Sequence, residues 1–186
     1  ASGDQVQPVA VPGSMDRQAA RVLLEHLARE LRAVDVRHGS GLDDITSLPQ
    51  VSLVPLDLTN ARSVSEIAGE IGGKVDIVIN NAEVHRTFGI SARRGTDAAR
   101  AEMDVNYFGA LRLAQEFGPA LMSRAADGAT HATAWVNLLS IYALANFPPH
   151  GTYSASKAAA HSLAQCQRAE LRAAGIRVIN VFPGPI

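Results

Sequence analysis

Short apolar runs alternate with stretches whose apolar residues recur at helical spacing. Val9-Ala10-Val11, Ala33-Val34-Asp35-Val36, VSLVPL over 51–56, Val75 to Ile79, Ala134 to Leu139 and Ile176 to Val181 have the length and content of buried strands. Between them the period changes. Ala19, Val22, Leu23, Leu27 and Leu31 recur three and four residues apart, which predicts a helix after the first run. ARSVSEIAGEI predicts a second helix. Thr96 to Arg124 predicts a long one, with Met103, Val105, Phe108, Leu111 and Leu113 as its apolar positions. Thr152 to Ala173 predicts the last, rich in small residues that permit close packing. SGLDDITSLPQ, His85 to Gly95 and AADGATHAT are polar connections.

Strands that alternate with helices predict a parallel sheet covered on both faces, a Rossmann-like doubly wound α/β/α fold. Its ligand crevice lies at the C-terminal ends of the strands. Residues 1–8 read as a loose N-terminal segment and 9–186 as a single domain, with no internal repeat and no linker. The 186 residues suffice for one sizeable core. Composition narrows the function classes. The net charge of -1 gives no basis for a nucleic-acid or anionic-membrane surface. The lone Cys166, expected to be buried on its helix, excludes an internal disulfide and fits the cytoplasm. No run has the length of a membrane span.

The candidate chemistry is concentrated in Ser140 to Lys157, SIYALANFPPHGTYSASK. Tyr153 and Lys157 are four apart and share a helix face. Ser140 closes the strand before them. A lysine ammonium beside the phenol is expected to lower its pKa from about 10. A tyrosine so tuned passes a proton to or from a carbonyl or alcohol oxygen, and Ser140 holds that oxygen. Such a site moves a hydride on and off a C–O carbon, with a cofactor as carrier. Gly13, between the first strand and its helix, sits where amides at a helix N-terminus hold a phosphate. Arg37, after the second strand, suits a ribose 2′-phosphate and leans toward NADP over NAD; Asp35, two residues earlier, reverses that preference if the register shifts.

The combination resembles the short-chain dehydrogenase/reductase family: YSASK with Ser140 at the family's spacing, then NNAE, VNYFG and PGPI in the family's order. The resemblance covers about Val9 to Ile186. It implies Ser140, Tyr153, Lys157 and Asn106 as the catalytic set. In that set Asn106 kinks its helix so that a freed carbonyl holds a water in a proton path from Lys157. It implies Asp57 and Leu58 beside the adenine ring, with Asp57 equally suited to cap the following helix. Asn80 would tie neighbouring strands, Ala82 would lie along the cofactor, and Lys157 would bond the nicotinamide ribose with Tyr153 beside it. Pro183, Gly184 and Ile186 would hold the nicotinamide amide. It also implies a homodimer or homotetramer built on the two long helices, a small carbonyl or alcohol substrate, and further segments after Ile186 that complete the fold.

Four departures line the implied dinucleotide path. Pro12, Arg17 and Ala19 stand where the family's loop has threonine and two glycines, and Glu83 replaces the glycine of Asn-Asn-Ala-Gly. A carboxylate at 83 repels a dinucleotide unless it points away or pairs with Arg17 or Arg86. Two expectations follow: an NADP-preferring oxidoreductase, or a partner subunit or binding protein of the same fold with weakened cofactor binding, associated with a related active chain.

Overall fold

The computed structural model describes residues 8–10, 32–34, 54–86, 89–93, 95–127 and 133–184. Strand β1 (Pro8–Ala10) pairs in parallel with β2 (Arg32–Val34). Strands β3 (Ile77–Asn80), β4 (Ala134–Leu138) and β5 (Arg177–Val181) form a second parallel set in that order. β1 runs beside β3, so the order across the fold is β2-β1-β3-β4-β5. The chain moves outward from β1 to β2, then returns to the far side of β1. That reversal is the topological switch point beside which α/β folds bind ligands. The helix expected over 12–31 and the first part of the strand expected over 51–56, residues 51–53, lie outside the described residues.

Register explains the core. Val78, Trp135 and Val178 are aligned across β3, β4 and β5. All three point into one cluster with Val64 and Ile67 of helix α1 (Ala61–Ile71) and with Leu113, Phe117 and Leu121. The last three belong to helix α3 (Ala110–Ala126). Leu171 joins them from helix α4 (Gly151–Arg172). Each fully buried side chain of this size contributes roughly 1.5–3 kcal/mol. Two residues along, Asn80, Asn137 and Asn180 form a polar row at the C-terminal ends of the strands. Asn137 Nδ2 donates to Asn180 Oδ1 at 3.1 Å, and Trp135 Nε1 donates to Asn137 Oδ1 at 2.9 Å. The strand tie expected of Asn80 is therefore made by its neighbours; the buried Asn80 Oδ1 has no partner among the described residues.

The long helix expected over 96–124 is present but broken in period. Helix α2 (Asp97–Met103) leads into a π-helical segment (Asp104–Gly109), and α3 follows without a gap. A π segment adds a residue to the turn and rotates what lies around it. Phe108, expected on the apolar face, is consequently 45% exposed, while Leu113 is buried. The cap of α1 also differs from expectation. Asn60 Oδ1 accepts from the amides of Arg62 and Ser63, whereas Asp57 Oδ1 closes a local turn onto the amide and hydroxyl of Thr59. Cys166 is exposed on α4, not buried. Its position in the sequence is flanked by Gln165 and Gln167, and the buried stripe of α4 runs through Ala164, Gln167 and Leu171 instead. No described helix is long and apolar enough to cross a membrane.

Candidate active site

Ser140 lies two residues after β4 and opens a short 3₁₀ turn (Ile141–Ala143). Its φ of 113° and ψ of 148° make it the one positive-φ residue other than glycine among those described. This region is close to glycine-only territory and costs of order 1–3 kcal/mol. The turn is fixed from both sides: Ile141 N donates to Pro183 O, and Tyr142 N to Ser140 Oγ. The Ser140 hydroxyl lies near the Tyr153 phenol and favours the phenolate. Exchanging Ser140 for glycine is expected to give a protein about 1 kcal/mol more stable than the Ser140→Ala variant, because only the glycine relieves the backbone. Urea unfolding of the two variants checks this; equal stability contradicts it.

Tyr153 and Lys157 lie one turn apart on α4, both buried. The helix is held to the π segment through Asn106. Asn106 Nδ2 donates to Ser156 Oγ at 2.8 Å and to Val84 O at 2.9 Å, and its Oδ1 accepts from Val84 N at 2.8 Å. Ser156 Oγ in turn donates to Tyr153 O. Asn106 thus positions the residues around Tyr153 and Lys157 and fixes the loop that follows β3.

That loop changes the electrostatics expected of the site. Tyr153 OH donates to Glu83 Oε2 at 2.7 Å, and Lys157 Nζ lies 2.9 Å from the same oxygen. Glu83 neither points away nor pairs with Arg86. The Arg86 backbone amide donates to Glu102 Oε1 at 2.7 Å, and Arg17 lies outside the described residues. The expected lowering of the Tyr153 pKa by Lys157 does not occur. Burial pushes the phenol well above its ordinary range, and the Glu83 carboxylate adds to the rise by charge and by hydrogen bond. Burial draws Lys157 below the usual lysine range, and Glu83 partly offsets this. Lys157 also donates to Leu138 O at 3.3 Å.

His85 opens the polar connection expected over His85 to Gly95, and His150 stands just before α4. The structure packs the His85 ring against Tyr153, tilted by 33° with centroids 4.1 Å apart. His85 Nε2 and His150 Nδ1 share a hydrogen bond of 2.6 Å. His150 stacks in turn on Tyr142 and Phe147, which makes one wall of the site aromatic. No periodicity links residues 65 positions apart, so only the fold reveals the pair. Burial and the nearby His150 hold His85 below its ordinary 6.5. An unfolded chain takes up that proton more readily, so His85 lowers stability as pH falls from 6.5 through its folded pKa. Urea unfolding on either side of pH 6.5 is expected to show a smaller acid loss in the His85→Gln variant than in the parent. An equal loss contradicts this origin.

The remaining predicted residues flank this centre. Leu58 is buried, and its carbonyl accepts from Arg112 Nη1 at 2.7 Å; the same nitrogen binds Asp104 Oδ1 at 2.9 Å. Gly109 lets the helix approach closely, since a Cβ there would meet the Leu58 Cβ at 3.0 Å. Leu58 is thereby locked to the π segment that carries Asn106. Asn80, Asn106, Asn137, Lys157 and Gln167 line a small polar cavity under the site. Ala82 is buried after β3; Pro183 O is committed to Ile141 N, and Gly184 is exposed. Gly13, Arg37 and Ile186 lie outside the described residues. The donor chemistry at the strand ends fits the sugar and nicotinamide of a dinucleotide: a hydroxyl, a phenol and an ammonium over a floor of small residues. Among the described residues, Glu83 is the member set against it.

Comparison with known proteins agrees with this geometry. Residues 15–186 match the family described as short chain dehydrogenase. The chain is 36% identical over 172 residues to mouse dehydrogenase/reductase SDR family member 7B, covering 88% of this chain and 46% of the relative. It is 31% identical over 181 residues to an uncharacterized oxidoreductase of Mycobacterium bovis, covering 93% of this chain and 48% of the relative. It thus spans about half the length of these curated relatives. A short chain dehydrogenase from Burkholderia cenocepacia, solved in complex with NADP, superposes with a TM-score of 0.81 at 37% identity. That match covers 98% of this chain and 73% of the other. With the parallel sheet, the switch point and the Ser140, Tyr153 and Lys157 cluster already in place, these matches identify the chain as a member of the short-chain dehydrogenase/reductase family.

Proposed function

We propose that this chain is a nicotinamide-dependent oxidoreductase that interconverts a small carbonyl compound and its secondary alcohol, with NADP preferred over NAD. The observation that carries the reading is the convergence of the Ser140 hydroxyl, the Tyr153 phenol and Lys157 at the C-terminal ends of parallel strands. The Burkholderia protein's NADP complex supports the choice of cofactor.

Lys157 and Tyr153 would hold the nicotinamide ribose, Pro183 and Gly184 the nicotinamide amide, Asp57 and Leu58 the adenine end, and Asn80 and Ala82 the length between. Gly13, Arg37 and Ile186 complete the set. A bound nicotinamide supplies or accepts the hydride. Ser140 orients the substrate oxygen through a donated hydrogen bond, and the rigid turn that strains its backbone keeps that donor in place. Tyr153 transfers the proton at that oxygen. Asn106 holds α4 and the loop after β3 in register, so the phenol does not drift from the reacting oxygen. The aromatic wall of Tyr142, Phe147 and His150 excludes water from one side and suits a substrate with apolar surface. We place the protein in the cytoplasm as a homodimer or homotetramer.

The test is oxidation of NADPH in the presence of a panel of aldehydes and ketones, by the parent chain and by a Ser140→Ala variant. Turnover by the parent that falls by at least about tenfold in the variant supports the reading. NADPH binding without turnover of any carbonyl contradicts it. Glu83, seated on Lys157, favours a second reading: a partner subunit or binding protein with weakened dinucleotide affinity. Co-purification with a related active chain, together with no NADPH binding, would establish that alternative.

A further inference from the structure

We propose that Glu83 sets the working direction of this site: by taking the Tyr153 proton and the Lys157 charge onto one carboxylate oxygen, it holds Tyr153 as a proton donor and favours carbonyl reduction over alcohol oxidation. The inference rests on the oxidoreductase reading above. It concerns the protonation state available at a given pH, and the overall equilibrium of the reaction is unaffected.

The geometry is specific. Glu83 Oε2 accepts the phenol at 2.7 Å and lies 2.9 Å from Lys157 Nζ. The lysine nitrogen is 5.6 Å from the centre of the Tyr153 ring, and the carboxylate is the charged group that the phenol donates to. A carboxylate that accepts from a phenol stabilises its neutral form, and its charge opposes a second negative charge beside it. The ammonium that would otherwise favour the phenolate is cancelled by the same oxygen. Neighbouring elements do not reverse this. His85 from the loop after β3 packs against the ring, and His150, at the cap of α4, lies behind it. Glu102 from α2 adds negative charge. Tyr142 meets the ring edge-on. Ser140 and Lys157 are the groups that favour the phenolate, and Glu83 engages one of them directly.

Access to solvent points the same way. The side chain of Lys157 is 3% exposed and that of Glu83 is 23% exposed. After a turnover, the phenol therefore regains its proton from the side on which the carboxylate meets water. In reduction, a hydride from the reduced nicotinamide reaches the carbonyl carbon, and the dinucleotide is oxidised. The Tyr153 O–H bond breaks as an O–H bond forms on the substrate oxygen. The phenolate is then reprotonated from solvent. Oxidation runs the same bonds backwards and needs the phenolate at the outset, the form that Glu83 opposes.

The test begins on the free chain, without cofactor. Tyrosinate difference absorbance is followed from neutral pH to the alkaline limit of the fold, with a Tyr153→Phe variant subtracted to isolate this phenol. Glu83→Gln and Glu83→Gly are each expected to lower its midpoint by at least about one pH unit, a tenfold change in proton affinity, and Glu83→Asp to return it toward the parent. Near-UV circular dichroism verifies each fold, and the glycine variant carries the test if the glutamine variant does not fold. With cofactor, the ratio of oxidation to reduction turnover, each at saturating substrates and neutral pH, is expected to rise at least about tenfold in the folded variants, and its pH profile to shift to lower pH. An unchanged or raised phenol midpoint in both variants overturns the proposal. Failure to bind NADPH counts against the oxidoreductase reading alone, because the titration needs no nucleotide.

Discussion

Replacing Tyr153 by phenylalanine is expected to slow carbonyl reduction by about 10²–10⁴-fold while the chain stays folded. The two halves of this expectation have separate causes. On the proposed reading the hydroxyl gives a proton to the substrate oxygen, with Ser140 beside it. Its removal eliminates general acid catalysis and leaves substrate binding to the aromatic wall. The fold loses one hydrogen bond, to Glu83, whose Oε2 keeps Lys157 as partner. The cost to stability is therefore about 1 kcal/mol. Rates of NADPH oxidation and thermal melts of both proteins check the pair of outcomes. A folded phenylalanine variant with parental turnover would falsify the role given to Tyr153.

The second large effect concerns stability. Glu83→Gln is expected to destabilise the fold by about 3 kcal/mol, because it leaves the buried Lys157 with the Leu138 carbonyl as its remaining partner among the described residues. Lys157→Met alone is expected to cost less, since Glu83 is partly exposed and hydrates. The double variant removes both charges. Its loss is expected to fall short of the sum of the single losses by about 1–3 kcal/mol. Urea unfolding of all four proteins closes the cycle. Losses that simply add, within about 0.5 kcal/mol, show that the pair is not coupled.

What was legible in the sequence is what local pattern controls. The β3, β4 and β5 strands and helix α4 emerge from apolar runs and small-residue spacing, and their observed bounds differ from expectation by a residue or two. Tyr153 and Lys157 fall on one face because a helix puts residues four apart there. The partner of that pair was not legible. Glu83 is conspicuous in NNAE, but which cation a carboxylate takes depends on where the tertiary fold carries it. The usable signal was that β3 and α4 deliver Glu83 and Lys157 to the same crevice, which makes them nearer candidates than Arg86. Phe108 was misplaced because a constant helical period was carried through Asn106, where the π segment changes it. Asp57 and Asn60 are both capable caps, and sequence does not decide between two such residues three apart. The Ser140 strain is equally invisible, since it comes from anchoring the turn to Pro183, 43 residues downstream.

The central claim is that the strand ends around Tyr153 and Lys157 hold a nicotinamide dinucleotide. Calorimetric titration of the purified chain with NADPH, alongside its Lys157→Met variant, tests it most directly. Saturable binding by the parent, weakened at least about tenfold in the variant, is the predicted result. No heat of binding at millimolar NADPH, or equal affinity in the two proteins, would contradict the account.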